Sequence, residues 1–290
     1  MALLVVVFLG LLFARVPVAI SLFASTLVFS LATGSLGPVA LASTATYGVA
    51  TFSLLAIPGF ILVAEVMNRS TISYRIFDFA QSCVGHITGG LAQVNVFASI
   101  IFAGMSGSVI ADIAGIGRIE IQAMQERNYP LEFSAAVTAA SAAIGPIIPP
   151  SIIMVVYAAA SQQSTTRMFV GGVLPGLALG LFLMVAVSIL ARGKPWGRTA
   201  KAPWSERGLK FLRALPALAT PGLILGGIIS GLWTPTEAGA VTAFYAFVVA
   251  KWFYRDISWG DLPEIFKKTA LSTGNIMLIF AAAHVFSRVV

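Results

Sequence analysis

The chain has 290 residues, of which 58% are hydrophobic and 10% charged, with a net charge of +7 and a mean hydropathy of +0.92. A soluble domain carries about 25% charged residues, so this chain cannot cover a water-facing surface and a soluble protein is excluded. Its single cysteine, Cys83, excludes an intrachain disulfide.

Apolar runs long enough to cross a bilayer start at the N-terminus. Residues 2–31 are expected to form a first, retained span, kinked or tilted by Arg15 and Pro17, because the run lacks a basic leader and is too long for a signal-peptide core. A second run, residues 51–67, ends at Asn68-Arg69-Ser70, and a short amphipathic piece, 73–84, carrying Arg75 and Asp78, is expected to lie in the interface. Three ordinary spans are expected at 168–191, 212–232 and 235–249; a polar amphipathic stretch, 256–268, then leads to a last apolar run, 271–290.

Between these lie two interrupted segments. Residues 91–117 are apolar but broken at Gly104-Met105-Ser106-Gly107-Ser108. At ~1.5 Å rise per residue the limb 91–103 is only about 20 Å long, short of the ~30 Å hydrocarbon core. Two readings stand: one weak helix with small residues for packing, or a re-entrant hairpin over 91–127 whose tip is the Gly/Ser cluster. Residues 133–160 are broken at Gly145-Pro146-Ile147-Ile148-Pro149-Pro150-Ser151. Proline has no N–H to offer the carbonyl four residues back, so Pro146, Pro149 and Pro150 free the carbonyls of Ala142, Gly145 and Pro146. Unsatisfied groups in low dielectric cost several kcal/mol each. A dehydrated cation is one partner for them, since hard cations choose oxygen ligands; a kink healed by neighbouring Ser or water is the other. Ser106 and Ser108 add hydroxyls, and paired broken helices mark midplane transport sites.

Asp112 follows Ser108 by four residues in an apolar stretch, and an intramembrane carboxylate is a functional candidate by default. Glu237, three after Thr234 with Pro235 between, fits a capping box and is structural. His86 and His284 lack metal-ligand spacing and are packing or interface residues. The basic run Arg192, Lys194, Arg198, Lys201, Arg207, Lys210 and Arg213, against Glu206 alone, lies in a short loop between apolar runs. The positive-inside rule makes that loop cytoplasmic, in preference to a nucleic-acid surface.

A rival function is enzymatic: Gly104-Met105-Ser106-Gly107 matches the nucleophile motif of rhomboid-like intramembrane serine proteases, with His284 the available base. Such a protease gives no account of GPIIPPS, and a passive channel has no symmetric filter to support it.

Four stretches carry a family likeness: FSLLAIPGFILVAEVMNRS (52–70), GHITGGLAQVNVFASIIFAGMSGSVIADIAGIG (85–117), the Ala-rich stretch into IGPIIPPS (144–151), and GLWTPTEAGAV (231–241). In this order they resemble the DctM-like large membrane subunit of tripartite ATP-independent periplasmic (TRAP) transporters. The resemblance implies an all-α polytopic protein of the bacterial inner membrane with an elevator-type inverted-repeat fold, no catalytic residues, no cofactor, and sodium as the coupling ion. It implies a small membrane subunit and a periplasmic substrate-binding protein as partners, and an organic anion as substrate: a C4-dicarboxylate, sialic acid or a related sugar or keto acid. Carried over residue by residue, it implies a sodium site at Ser106, Gly145, Ile148 and Pro149, with Ser108, Asp112 and Ser151 as substrate-binding candidates. On this reading 1–290 is one membrane domain: a first repeat over about 1–192, a cytoplasmic linker over 193–211 and the start of a second repeat over 212–290. The second hairpin, its sodium site and the remaining helices are expected to be missing, so the chain is expected to be a fragment.

Overall fold

A computed structural model describes all residues except 195, 197 and 198; Arg198 of the basic run lies outside the described residues. Helices account for all regular structure among them, and the chain packs as two compact units, Met1–Leu55 with Ala270–Val290, and Ala56–Thr269. These units are drawn along other lines than the repeat division expected from the sequence.

In the first unit the expected single span is two helices, α1 (Ala2–Phe13) and α2 (Val18–Thr33), which pack on each other. Proline removes a donor and biases the residue before it away from helix; here Pro17 is the N-cap of α2, and Arg15 reverses the chain at φ 63°. A kink was expected and a full break is found. A third helix, α3 (Pro38–Val49), opens with proline in its first turn, where no N–H is missed; its Ser/Thr/Ala-rich sequence had shown no span. Gly48 lies against the ring of His284, which stacks on Phe280, so His284 is a packing residue.

The second unit is built around α6 (Leu91–Ser106), which is buried on nearly every side. A helix that is apolar all round belongs in a core. Packed on it are α4 (Ala56–Arg69), α5 (Ile72–Val84), α8 (Arg118–Gln125), α9 (Leu131–Ala142), α11 (Thr165–Leu190) and α12 (Trp204–Ile229). The amphipathic α5 does not rest loosely at an interface: Ile72, Ile76, Phe77 and Ala80 are buried, and Phe79 meets Phe211 of α12 at 5.6 Å. By contrast α11 leaves Leu174, Leu181 and Phe182 at 76%, 63% and 72% exposed, which is tolerable only where lipid is the solvent.

Helix α13 (Pro235–Val248) opens with the expected Thr234–Glu237 capping box and runs into a π turn, Val249–Phe253. It packs against α4 through Gly59 and Gly239: a Cβ at Gly59 would sit 2.8 Å from the Gly239 carbonyl carbon, so only glycine permits this backbone approach. The expected polar stretch and final apolar run are one helix, α14 (Leu262–Val289), because no glycine or proline pair interrupts the period where polarity changes. The lengths and apolarity of Phe52–Arg69, Thr165–Leu190, Trp204–Ile229 and Trp259–Val289 suit them to cross a membrane.

Candidate functional site: two chain breaks in contact

The segment 91–127 is a helical hairpin. Ser106 ends α6, Gly107 takes the left-handed conformation at φ 58°, and Ser108 caps the return run. That run comprises α7 (Val109–Asp112), a π turn (Ile113–Gly117) and α8, and it packs back along α6. The Ser108 hydroxyl accepts from the Ala111 N–H at 3.4 Å.

The second break leaves residues 143–150 outside regular helix, between α9 and α10 (Ile152–Ser161). Ser151 caps α10, accepting from Met154 N–H at 3.2 Å and donating to the Pro146 carbonyl at 2.6 Å. Ala142 O is met by Gly145 N–H at 3.0 Å. Two of the three carbonyls that proline chemistry frees thus have partners. The carbonyl of Gly145 has none among the described residues, and neither do those of Ile148 and Pro149.

These two breaks touch. Ile152 N–H reaches Gly107 O at 3.4 Å. A Cβ on Gly107 would run into the Pro150 carbonyl oxygen and lie 2.9 Å from Ser151 Cα, and one on Gly145 would stand 3.6 Å from Ser108 N. The structure therefore brings Ser106, Ser108, Gly145 and Ser151 to one locus, with Pro149 O 3.9 Å from the Cβ position of Gly104. The Ser106 hydroxyl at that locus is fully buried and has no hydrogen-bond partner. A buried hydroxyl without a partner costs stability.

Asp112 sits one turn beyond Ser108, 1% exposed, inside the hairpin rather than at its tip. The Ser99 hydroxyl faces it. Glu120, which the sequence did not single out, is also fully buried, and neither carboxylate is hydrogen-bonded within ordinary geometry. The π turn between them has a wider winding than an α-helix, which brings two acids eight residues apart toward one face. Nearby, α6 and α9 are clasped by Asn95 Nδ2 to Thr138 Oγ1 and Ser141 Oγ to Asn95 Oδ1, both 2.7 Å. Asn95 was legible only as a polar residue in an apolar run.

Buried, discontinuous helices that meet at their breaks, inside a chain with several lipid-ready spans, fit a polytopic membrane protein. The family model for the tripartite ATP-independent periplasmic transporter DctM component matches residues 5–290. The chain is 40% identical over 282 residues to the sialic acid TRAP transporter large permease protein of Vibrio cholerae, covering 97% of this chain and 66% of that one. It is 40% identical to the C4-dicarboxylate TRAP transporter large permease protein of Pseudomonas aeruginosa, over 82% of this chain and 56% of that one. Likeness to the 2,3-diketo-L-gulonate TRAP transporter large permease protein of Escherichia coli is 38%, over 84% and 58%. This chain belongs to the DctM family of TRAP transporter large permease components. It is a bacterial inner-membrane protein and not an enzyme, which removes the intramembrane protease reading of Ser106. The chain spans about two thirds or less of the length of these relatives.

Proposed function

We propose that the chain forms part of the membrane permease of a sodium-coupled secondary transporter that imports an organic anion. The class of substrate follows from the relatives, whose names give sialic acid, a C4-dicarboxylate and a diketo sugar acid. A small membrane subunit and a periplasmic binding protein are the proposed partners, as the family implies, and an elevator-type movement of the hairpin unit is the proposed mode of access.

The observation that supports sodium coupling is a buried, unpartnered Ser106 hydroxyl at the hairpin tip, where it touches the break that holds the open carbonyls of Gly145, Ile148 and Pro149. These oxygens would hold the ion; it would supply the positive charge and the driving gradient, while Gly107 and the prolines keep the carbonyls out of helical pairing. Ser108 and Ser151, whose helices start at the same locus, are the proposed contacts for the anion, since helix N-termini favour negative charge. Asp112 would act from inside the hairpin. The loop from Gly193 to Lys210 is proposed to be cytoplasmic, on the basis of its Lys and Arg content.

Two experiments test this reading. Pro149→Ala gives residue 149 an N–H that competes for the Gly145 carbonyl; sodium should then stabilise the purified protein less than it stabilises the wild type, with potassium as the control. Equal stabilisation of both would remove the sodium site. For topology, the Thr199 amide is tied to Gly85 O at 3.0 Å and its hydroxyl is buried, so exposed Lys201 is the better position for a cysteine. Lys201→Cys should resist an impermeant label applied outside intact cells; ready labelling reverses the orientation.

A further inference from the structure

Apart from the broken-helix locus, the second unit holds a basic cleft that transport chemistry does not use. It has a volume of about 280 Å³ and is lined by Thr71, Tyr74, Arg75, Asp78, Lys210 and Arg213, between α5 and α12. Three cations line it with one carboxylate, Asp78, and a second carboxylate, Asp256, accepts from the Thr71 N–H at 2.9 Å and from the Thr71 hydroxyl at the cleft wall. Lys210 already has a partner, Glu206 at 3.0 Å, but Arg75 and Arg213 have no carboxylate within ion-pair distance among the described residues. Arg75 is held in place rather than floating: its Nε donates to Thr71 Oγ1 at 3.3 Å, and its guanidinium stacks 4.2 Å from the Tyr254 ring centroid. The Tyr254 hydroxyl in turn donates to Arg213 O at 2.8 Å. Asp78 on the cleft floor is half-buried, and burial raises its carboxyl above the usual range while Lys210, Arg213 and Arg75 pull it back down.

The position of this cleft along α12 decides what could fill it. Arg213 is the last charged residue of that helix; from Ala214 to Ile229 none follows. The cleft therefore stands at the plane where α12 passes from headgroups into hydrocarbon. A separate apolar groove of about 590 Å³ opens on the α13 side of α12, beside Leu215, Ala219, Val248 and Trp252. Trp252 and Phe253 on its rim are 55% and 65% exposed, the placement of interfacial aromatics. A cationic pocket at the depth that these aromatics mark fits the phosphate of an anionic phospholipid.

We propose that Arg75, Lys210 and Arg213 bind the phosphate of an anionic membrane lipid. The shared chemistry is a phosphate group, and its source is tested with three probes on the purified full chain by native mass spectrometry: short-chain phosphatidylglycerol, short-chain phosphatidylcholine and inorganic phosphate. Phosphatidylglycerol should bind in preference to phosphatidylcholine. The double variant Lys210→Gln/Arg213→Gln should bind it roughly 25-fold more weakly, about fivefold for each charge removed. The charge-keeping double variant Lys210→Arg/Arg213→Lys should retain binding, which separates lost charge from lost fold, and Lys268→Gln, outside the cleft, should change nothing. Equal binding of the two lipids, or undiminished binding by the neutral double variant, overturns the proposal. Equal loss in the charge-keeping variant overturns it as well, by making the role structural. Displacement of phosphatidylglycerol by inorganic phosphate at comparable concentration overturns the lipid as the source.

Discussion

At the hairpin tip a single left-handed residue, Gly107, passes the chain from one helix to the next, whereas the second break takes residues 143–150 to do so. Both then restart in the same way, with a serine in extended conformation whose hydroxyl caps the new helix: Ser108 at φ −138° and Ser151 at φ −128°. The difference lies in how each ends the preceding helix. Glycine permits a left-handed cap that satisfies the last carbonyls: Gly107 N–H bonds Ala103 O at 3.2 Å. Proline ends a helix by withholding donors, so it leaves carbonyls open. The tight break supplies shape and the loose one supplies oxygens, and the two meet because the tight one lets backbone approach where any side chain would obstruct it.

The comparison is broken most sharply at Gly107. Alanine there would hold φ 58° against its preference and drive a methyl group into the Pro150 carbonyl. Strain and overpacking together cost roughly 3 kcal/mol or more. Gly107→Ala should fold poorly or melt far below wild type in detergent, and a cysteine pair bridging the two breaks should no longer crosslink. A variant as stable as wild type would mean that the breaks are not in contact.

The caps come next. Ser151→Ala removes both the bond to Met154 N–H and the 2.6 Å bond to Pro146 O, and should cost about 2 kcal/mol. Ser108→Ala loses one longer bond, at 3.4 Å, and should cost about 1 kcal/mol or less. Chemical denaturation of both variants checks the order; the reverse order would make the hairpin tip, not the proline break, the better-anchored half.

Both breaks were legible in the sequence because their causes are local: a Gly/Ser cluster and three prolines act on the residues beside them. The Thr234–Glu237 box was legible for the same reason. The break at Arg15–Pro17 was read as a kink because proline alone does not fix how far a chain turns; the left-handed Arg15 does. Helix α3 went unseen because PVALASTATYGV is too polar to announce a span. Glu120 carries no local mark at all. It sits in an ordinary polar stretch, RIEIQAMQ, and only the packing of α8 against α6 and α9 buries it. The carbonyls that proline frees were legible as residues, but which of them stay open depended on Ser151 turning back to Pro146 and on Gly145 satisfying Ala142.

The smallest expected change in stability is also the one that bears most on function. Ser106→Ala removes a hydroxyl that is fully buried and makes no hydrogen bond. Deleting an unsatisfied buried polar group is neutral or stabilising, by up to about 1 kcal/mol. In potassium buffer the variant should therefore melt at or slightly above the wild-type temperature. In sodium buffer the order should reverse, because a cation that binds only the folded state stabilises it in proportion to its affinity, and the variant has lost one oxygen of the set. The crossover separates two explanations of the same buried hydroxyl. A residue that merely packs would give the same difference in both salts, as would one satisfied by water. A sodium ligand gives opposite signs, while Ser151→Ala, which loses bonds within the protein, should destabilise in either salt.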